Sequence, residues 1–203
     1  MGGSSSDVPE SVIHFHQWRQ SPEALLPGIG DPKSNHQRGF VALSTLRGYL
    51  TKQTVESLLD AVVKSSRQDV DAQYVLDFYL RPFAILLCMG EGGLIQHFVK
   101  YSKLRDGGLP FDTKPVDFPC TEDEHLFEKF KKSQWQFCAA DLHWNMNAWL
   151  KEEEILPILR MDEIGAGGSA TVYKIVIEEE YNTLVPKGLL STVNPQAFET
   201  IND

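Results

Sequence analysis

The sequence predicts a mainly α protein, with an N-terminal helical domain followed by a short β-hairpin. Three observations point there. Apolar residues recur at helical spacing from about residue 40 to 150. Capping residues precede several of those runs. After Ile155 the pattern turns to alternating, β-branched residues around a glycine cluster.

Size and composition suit this. The chain has 203 residues, 42% hydrophobic and 23% charged, enough for one core or one domain and part of another. Nineteen Lys+Arg against 28 Asp+Glu give −9, which argues against broad nucleic-acid binding through phosphate neutralisation.

Residues 1–36 read as a flexible leader. Met1-Gly2-Gly3-Ser4-Ser5-Ser6 satisfies the bare N-myristoylation pattern at Gly2 and equally resembles a flexible Gly/Ser stretch. Val12 to Trp18 fits a short helix or a strand, and Pro22, Pro27, Gly28, Gly30 and Pro32 punctuate the stretch after it. His14 and His16 have no third ligand nearby, so no metal site is expected.

Residues 37–154 form the expected helical domain. Thr51 to Ser65 carries Val55, Leu58, Leu59, Val62 and Val63 on one face, with Thr51 or Thr54 as cap and Lys64 and Arg67 near the negative end. Asp69 to Leu80 continues helically. Pro82 suits the start of the next helix, and Phe83 to Met89, apolar all round, belongs in a core. Gly90 to Gly93 allows a turn, and Leu94 to Leu104 reads as a further helix. A loop then runs through Pro110, Pro115 and Pro119. Thr121 and Glu124 have capping-box spacing, ahead of the longest predicted helix, Asp123 to about Leu150. Its aromatics, with Phe127, Phe130, Trp135 and Phe137 among them, read as core rather than a ligand box. His97, His125 and His143 pair with no recognisable nucleophile, and Lys151 to Glu154 reads as a solvated helix end. A shortened chain, 38–150, is expected to fold by itself.

Cys88, Cys120 and Cys138 show no CxxC spacing and suit reduced thiols. No secretory signal is evident, and Pro82 to Met89 is too short to span a bilayer. The expectation is a cytoplasmic or nuclear protein without stable membrane insertion.

Chemistry concentrates in Ile158 to Ile177. Gly165 and Gly167 open a G-x-G-x-x-A pattern that ends at Ala170, and such loops let backbone N–H groups approach phosphate oxygens. A dinucleotide-binding turn would open a helix, whereas Thr171 to Ile177 reads as a strand. A Walker A loop is excluded because no Gly-Lys-Ser/Thr comes after it.

Strand, glycine loop, strand resembles the opening of a protein kinase domain, on Ile164-Gly165-Ala166-Gly167-Gly168-Ser169-Ala170-Thr171-Val172-Tyr173-Lys174. The preceding region, led in by Ile155-Leu156-Pro157-Ile158, resembles the N-terminal extension of a group of fungal protein kinases. The resemblance makes residues 155–203 a partial N-lobe. It implies ATP as ligand, with Ile164 and Val172 against the adenine and the Gly165, Ala166, Gly167, Gly168, Ser169 and Ala170 backbone over the phosphates. Ala170 replaces the third glycine. Gln196-Ala197-Phe198 resembles the start of the third strand, but Glu199 stands where its lysine is expected, and Lys187 lies in a Pro-Lys-Gly loop. Neither a His-Arg-Asp nor an Asp-Phe-Gly motif is present.

The expectation is therefore a truncated, pseudokinase-like protein. It has no catalytic or metal-binding residues and at most weak ATP affinity, and it acts through its helical domain as an interaction or regulatory module. The alternative is the N-terminal excerpt of an active ATP-dependent kinase. The helical domain itself is expected to cover the hairpin; the alternative is a protein partner, a second copy or a related kinase N-lobe on the helical domain or the exposed strand edge.

Overall fold

The computed structural model describes residues 8–31, 36–63, 70–143, 151–167 and 171–184. It is a mixed α/β structure of helices and small sheets, and among them is the antiparallel hairpin that the glycine cluster predicts.

The supposed leader is folded over much of its length. Helix α1 (Glu10–Trp18) buries Val12 and Phe15 in the main core, and Trp18 stacks on Tyr49 with ring centroids 3.9 Å apart. Strand β1 (Leu25–Asp31) pairs antiparallel with β2 (His36–Val41). Gly28, which looks like loop punctuation, is there for close approach. A Cβ on Gly28 would lie 2.7 Å from Ile155 Cγ2 and 2.9 Å from the Leu156 carbonyl oxygen. Local composition reads as loop, and tertiary packing overrides it.

Short helices α2 (Leu43–Tyr49) and α3 (Lys52–Val62) come next. Thr51 caps α3, its hydroxyl accepting the Thr54 N–H at 3.2 Å, and Val55, Leu58 and Leu59 face inward as the spacing predicts. Lys64 and Arg67 lie outside the described residues. Asp71 caps α4 (Ala72–Phe78) by accepting the Tyr74 N–H at 2.7 Å.

Helix α5 (Leu80–Cys88) is the centre. Leu80 and every residue from Pro82 to Leu87 are buried, and Pro82 sits in the first turn, where its missing N–H costs nothing. The Asp106 carboxylate accepts the Leu80 and Arg81 N–H groups at 2.8 and 2.9 Å. Arg81 also pairs with that carboxylate through Nε at 3.2 Å. Gly90, at φ 77°, ends this stretch in the left-handed region that glycine enters without strain.

The single helix expected over Leu94–Leu104 is broken. Helix α6 (Ile95–Phe98) stops after one turn, and a 3₁₀ turn stands at Ser102–Leu104. Tyr101 between them is extended because the buried Tyr79 hydroxyl donates to its carbonyl at 3.2 Å. The long helix predicted from Asp123 is also shorter: α7 runs Leu126–Gln134 and tightens into a 3₁₀ turn at Trp135–Phe137. Gln134, fully buried, accepts the Phe111 N–H at 2.8 Å and donates to its carbonyl at 3.1 Å. Trp135 then leaves for a second core, and the chain extends into β3 (Leu142–His143). No side chain caps α7; Asp123 accepts the His125 N–H just ahead of the helix at 2.9 Å. Trp144 and Trp149 lie outside the described residues.

Strands β4 (Ile158–Ala166) and β5 (Thr171–Ile177) form the glycine hairpin, and β6 (Asn182–Thr183) runs parallel to β3. A core of Phe40, Ala42, Trp135, Ile155 and Tyr181, and another of Ile29, Leu142 and Leu156, join the hairpin's base to the helical body. The boundary placed at residue 154/155 is thus crossed by shared cores.

Of the three cysteines, Cys138 is buried, Cys88 partly so and Cys120 exposed. Burial pushes the Cys88 and Cys138 thiols up to about 12. No helix among the described residues is long and apolar enough to cross a membrane. His14 and His16 belong to no group of His, Cys, Asp or Glu that could hold a metal among those residues.

Helix α1 yields two tests. Phe15 is fully buried, so Phe15→Ala should destabilise the protein by about 3–5 kcal/mol in urea denaturation. For the same reason a chain starting at Arg38 should not reach full stability, against the expectation for 38–150. His16 accepts from Arg19 Nε at 3.3 Å, and burial, then the Arg19 charge, hold it below its ordinary value despite the Leu87 backbone. Its neutral form is favoured by folding, so its contribution is present above the unfolded value of about 6.5 and lost as pH falls below it. The melting temperature should drop between about pH 7.5 and 5.5, and drop less in His16→Gln; equal drops would contradict this.

Candidate functional site

The glycine hairpin exists because Thr171–Ile177 is a β-branched run with a complementary partner strand. Its pairing is regular from Met161↔Ile175 to Glu163↔Tyr173, and then shifts by one before Gly165↔Val172 and Ala166↔Thr171. Ile164 is the extra residue. Such a bulge turns the strand locally and re-aims a side chain. It sets Ile164 beside the Val172 rung, the two residues that resemblance to kinases places against adenine.

Both are exposed, Ile164 by 63% and Val172 by 44%. Nothing lies within 4 Å of where a Gly165 Cβ would be, so the backbone there is open to approach. Ala166 and Gly167 are exposed as well. Gly168, Ser169 and Ala170 lie outside the described residues, as do Lys187, Gln196, Ala197, Phe198 and Glu199. Arg160 and Asp162 pair within β4 at 2.7 Å, leaving that guanidinium occupied.

This arrangement provides one apolar wall and an open backbone, without an opposing wall among the described residues. A small cleft at the base of β4, between Pro27–Ile29 and Ile158–Met161, holds about 80 Å³. A nucleotide needs a pocket of several hundred Å³. That cleft is too small to enclose ATP.

The hairpin's root is held at two points. Ile29 and Leu156 exchange backbone hydrogen bonds in both directions, at 3.0 and 2.8 Å, seating the entry to β4 on β1. On the exit side, the chain after β5 turns at Glu179–Tyr181 and reaches α2. The Glu180 carboxylate accepts the Leu43 N–H at 2.5 Å and the Ser44 N–H at 2.9 Å. Partial burial pushes this carboxyl up, but the bonds from Ser44 and Leu43 outweigh it and hold it below the usual carboxylate range. Tyr181 packs edge-on to Phe40 at 5.8 Å, and its hydroxyl lies 3.3 Å from the Leu43 nitrogen. Burial, and then the Glu180 charge, push its phenol up.

Sequence reasoning missed Glu180 and Tyr181. The one signal was position: a polar pair following a β-branched strand, with no motif to link it to residues 136 or more positions earlier.

Comparison with protein families, curated proteins and solved structures finds no match to this chain.

If Ile164 and Val172 wall a ligand surface rather than a core, polar substitution should be tolerated. Ile164→Ser and Val172→Thr should each change unfolding free energy by less than about 0.5 kcal/mol. Ile155→Ala, at the buried root, should cost about 2–5 kcal/mol. Comparable losses at all three positions would show that the hairpin tip is covered in solution.

Proposed function

We propose that this chain presents the opening hairpin of a protein-kinase N-lobe on a helical domain that braces it, and that it works as an interaction or regulatory module. The observation that carries the reading is the antiparallel pairing of β4 and β5 on either side of the glycine cluster, with a bulge at Ile164 that sets it beside Val172. The exposed backbone at Gly165 supports it, since a phosphate-covering loop needs that access.

Phosphoryl transfer rests on positioning metal-bound ATP beside a base, with a lysine on the phosphates. This chain has no His-Arg-Asp or Asp-Phe-Gly motif, and a glutamate stands at the position resembling the lysine's. On that basis the chain alone transfers no phosphate. A second reading, the first part of a longer active kinase, is favoured by β5. Among the described residues β5 pairs only with β4, and Val172, Tyr173, Ile175 and Val176 are each more than 40% exposed, as a strand awaiting further cover would be.

Titration calorimetry with Mg-ATP should show binding no tighter than millimolar, about −4 kcal/mol. Labelled ATP should leave no label on a generic protein substrate. Micromolar binding that is lost in Gly167→Pro would make the chain a nucleotide-binding protein in its own right. A larger product detected in cells by an antibody against the helical domain would select the second reading.

A further inference from the structure

We propose that the Glu180–Tyr181 turn is a latch that makes the first turn of α2 and the glycine hairpin open and close as one unit. The coupling stands on contacts alone; only its use, regulating a phosphate-facing hairpin, rests on the function proposed above.

The path of the chain supports the coupling. Among the described residues β5 pairs only with β4, and Val172, Tyr173, Ile175 and Val176 are exposed, while Met161 and Ile177 pack with Ile29, Leu142 and Leu156. The β4 side is fixed by the Ile29–Leu156 exchange. The β5 side leaves Ile177 through Glu178, whose N–H donates to the Pro157 carbonyl at 2.9 Å, and goes straight into the turn. There one carboxylate accepts two backbone N–H groups of α2, and the neighbouring tyrosine is only 7% exposed among Phe40, Ala42, Trp135 and Ile155.

The two halves of the latch depend on each other. The Leu43 and Ser44 N–H groups belong to the first turn of a helix, where no intrahelical acceptor exists. Ala42, the residue before α2, offers no side-chain acceptor, so the acceptor comes from residue 180. If the turn withdraws, these donors lose their partner, Tyr181 leaves its core, and the exit of β5 keeps only the Glu178–Pro157 bond and the β3–β6 pairing. Two structures sharing one set of bonds have two joint states. That is the physical requirement for a signal at the helical body to reach the hairpin.

The test is hydrogen–deuterium exchange on the full chain without nucleotide, comparing wild type, Glu180→Ala and Asp71→Ala. Asp71→Ala removes an ordinary helix cap elsewhere and controls for general loosening. Glu180→Ala should raise exchange about fivefold, the factor expected for a lost cap, both in residues 43–49 and in residues 158–177. Asp71→Ala should leave residues 158–177 unchanged. The proposal fails if Glu180→Ala loosens α2 but not the hairpin, or if Asp71→Ala loosens the hairpin equally. Should Glu180→Ala not fold, Glu180→Gln is read by the same criterion. Because no nucleotide is present, failure here leaves the kinase-like reading standing, and failure of ATP tests leaves the coupling standing.

Discussion

Helix α5 is wrapped on every side, and a helix in that position cannot leave its end groups to water. Its first free N–H groups need an acceptor inside the protein, and Asp106 supplies one from a turn that the chain reaches only after α6. Satisfying that need brings the 102–108 segment back across α4 and α5. There the Arg105 guanidinium lies 4.5 Å over the Phe78 ring and donates to the Tyr74 hydroxyl at 2.7 Å. Helices α4, α6 and α7 then close around α5, with Phe98 and Phe111 stacked on Phe130 and Phe118 edge-on to Phe98 and Phe130 at one end. The rest of the structure is laid on this body.

Much of the body was legible. The α3 face, its Thr51 cap and the all-round burial of α5 come from spacing and composition, because local preference and tertiary burial agree there. The glycine hairpin was legible for the same reason. Failures occur where a distant group overrides local preference. Phe111 captures Gln134 and ends α7, Tyr79 takes the Tyr101 carbonyl, and Gly28 looks like a loop residue until Ile155 lies against it. None of these partners is near in sequence, so no window of periodicity contains them.

The candidate site divides in the same way. Ile164, Gly165 and Val172 announce themselves through a local motif. Glu180 and Tyr181, which tie that motif down, have no motif of their own. A side chain whose role is to satisfy a backbone donor on another element is visible only once that element is in place.

The unequal setting of the thiols has a practical consequence. Nucleophilic attack requires the thiolate, and Cys88 and Cys138 are held as thiols across the usable pH range. Cys120, exposed in the loop before α7, keeps access to reagents. A maleimide dye or spin label added to the native, unmutated protein will therefore report from one address, on the face where the 109–125 loop meets solvent.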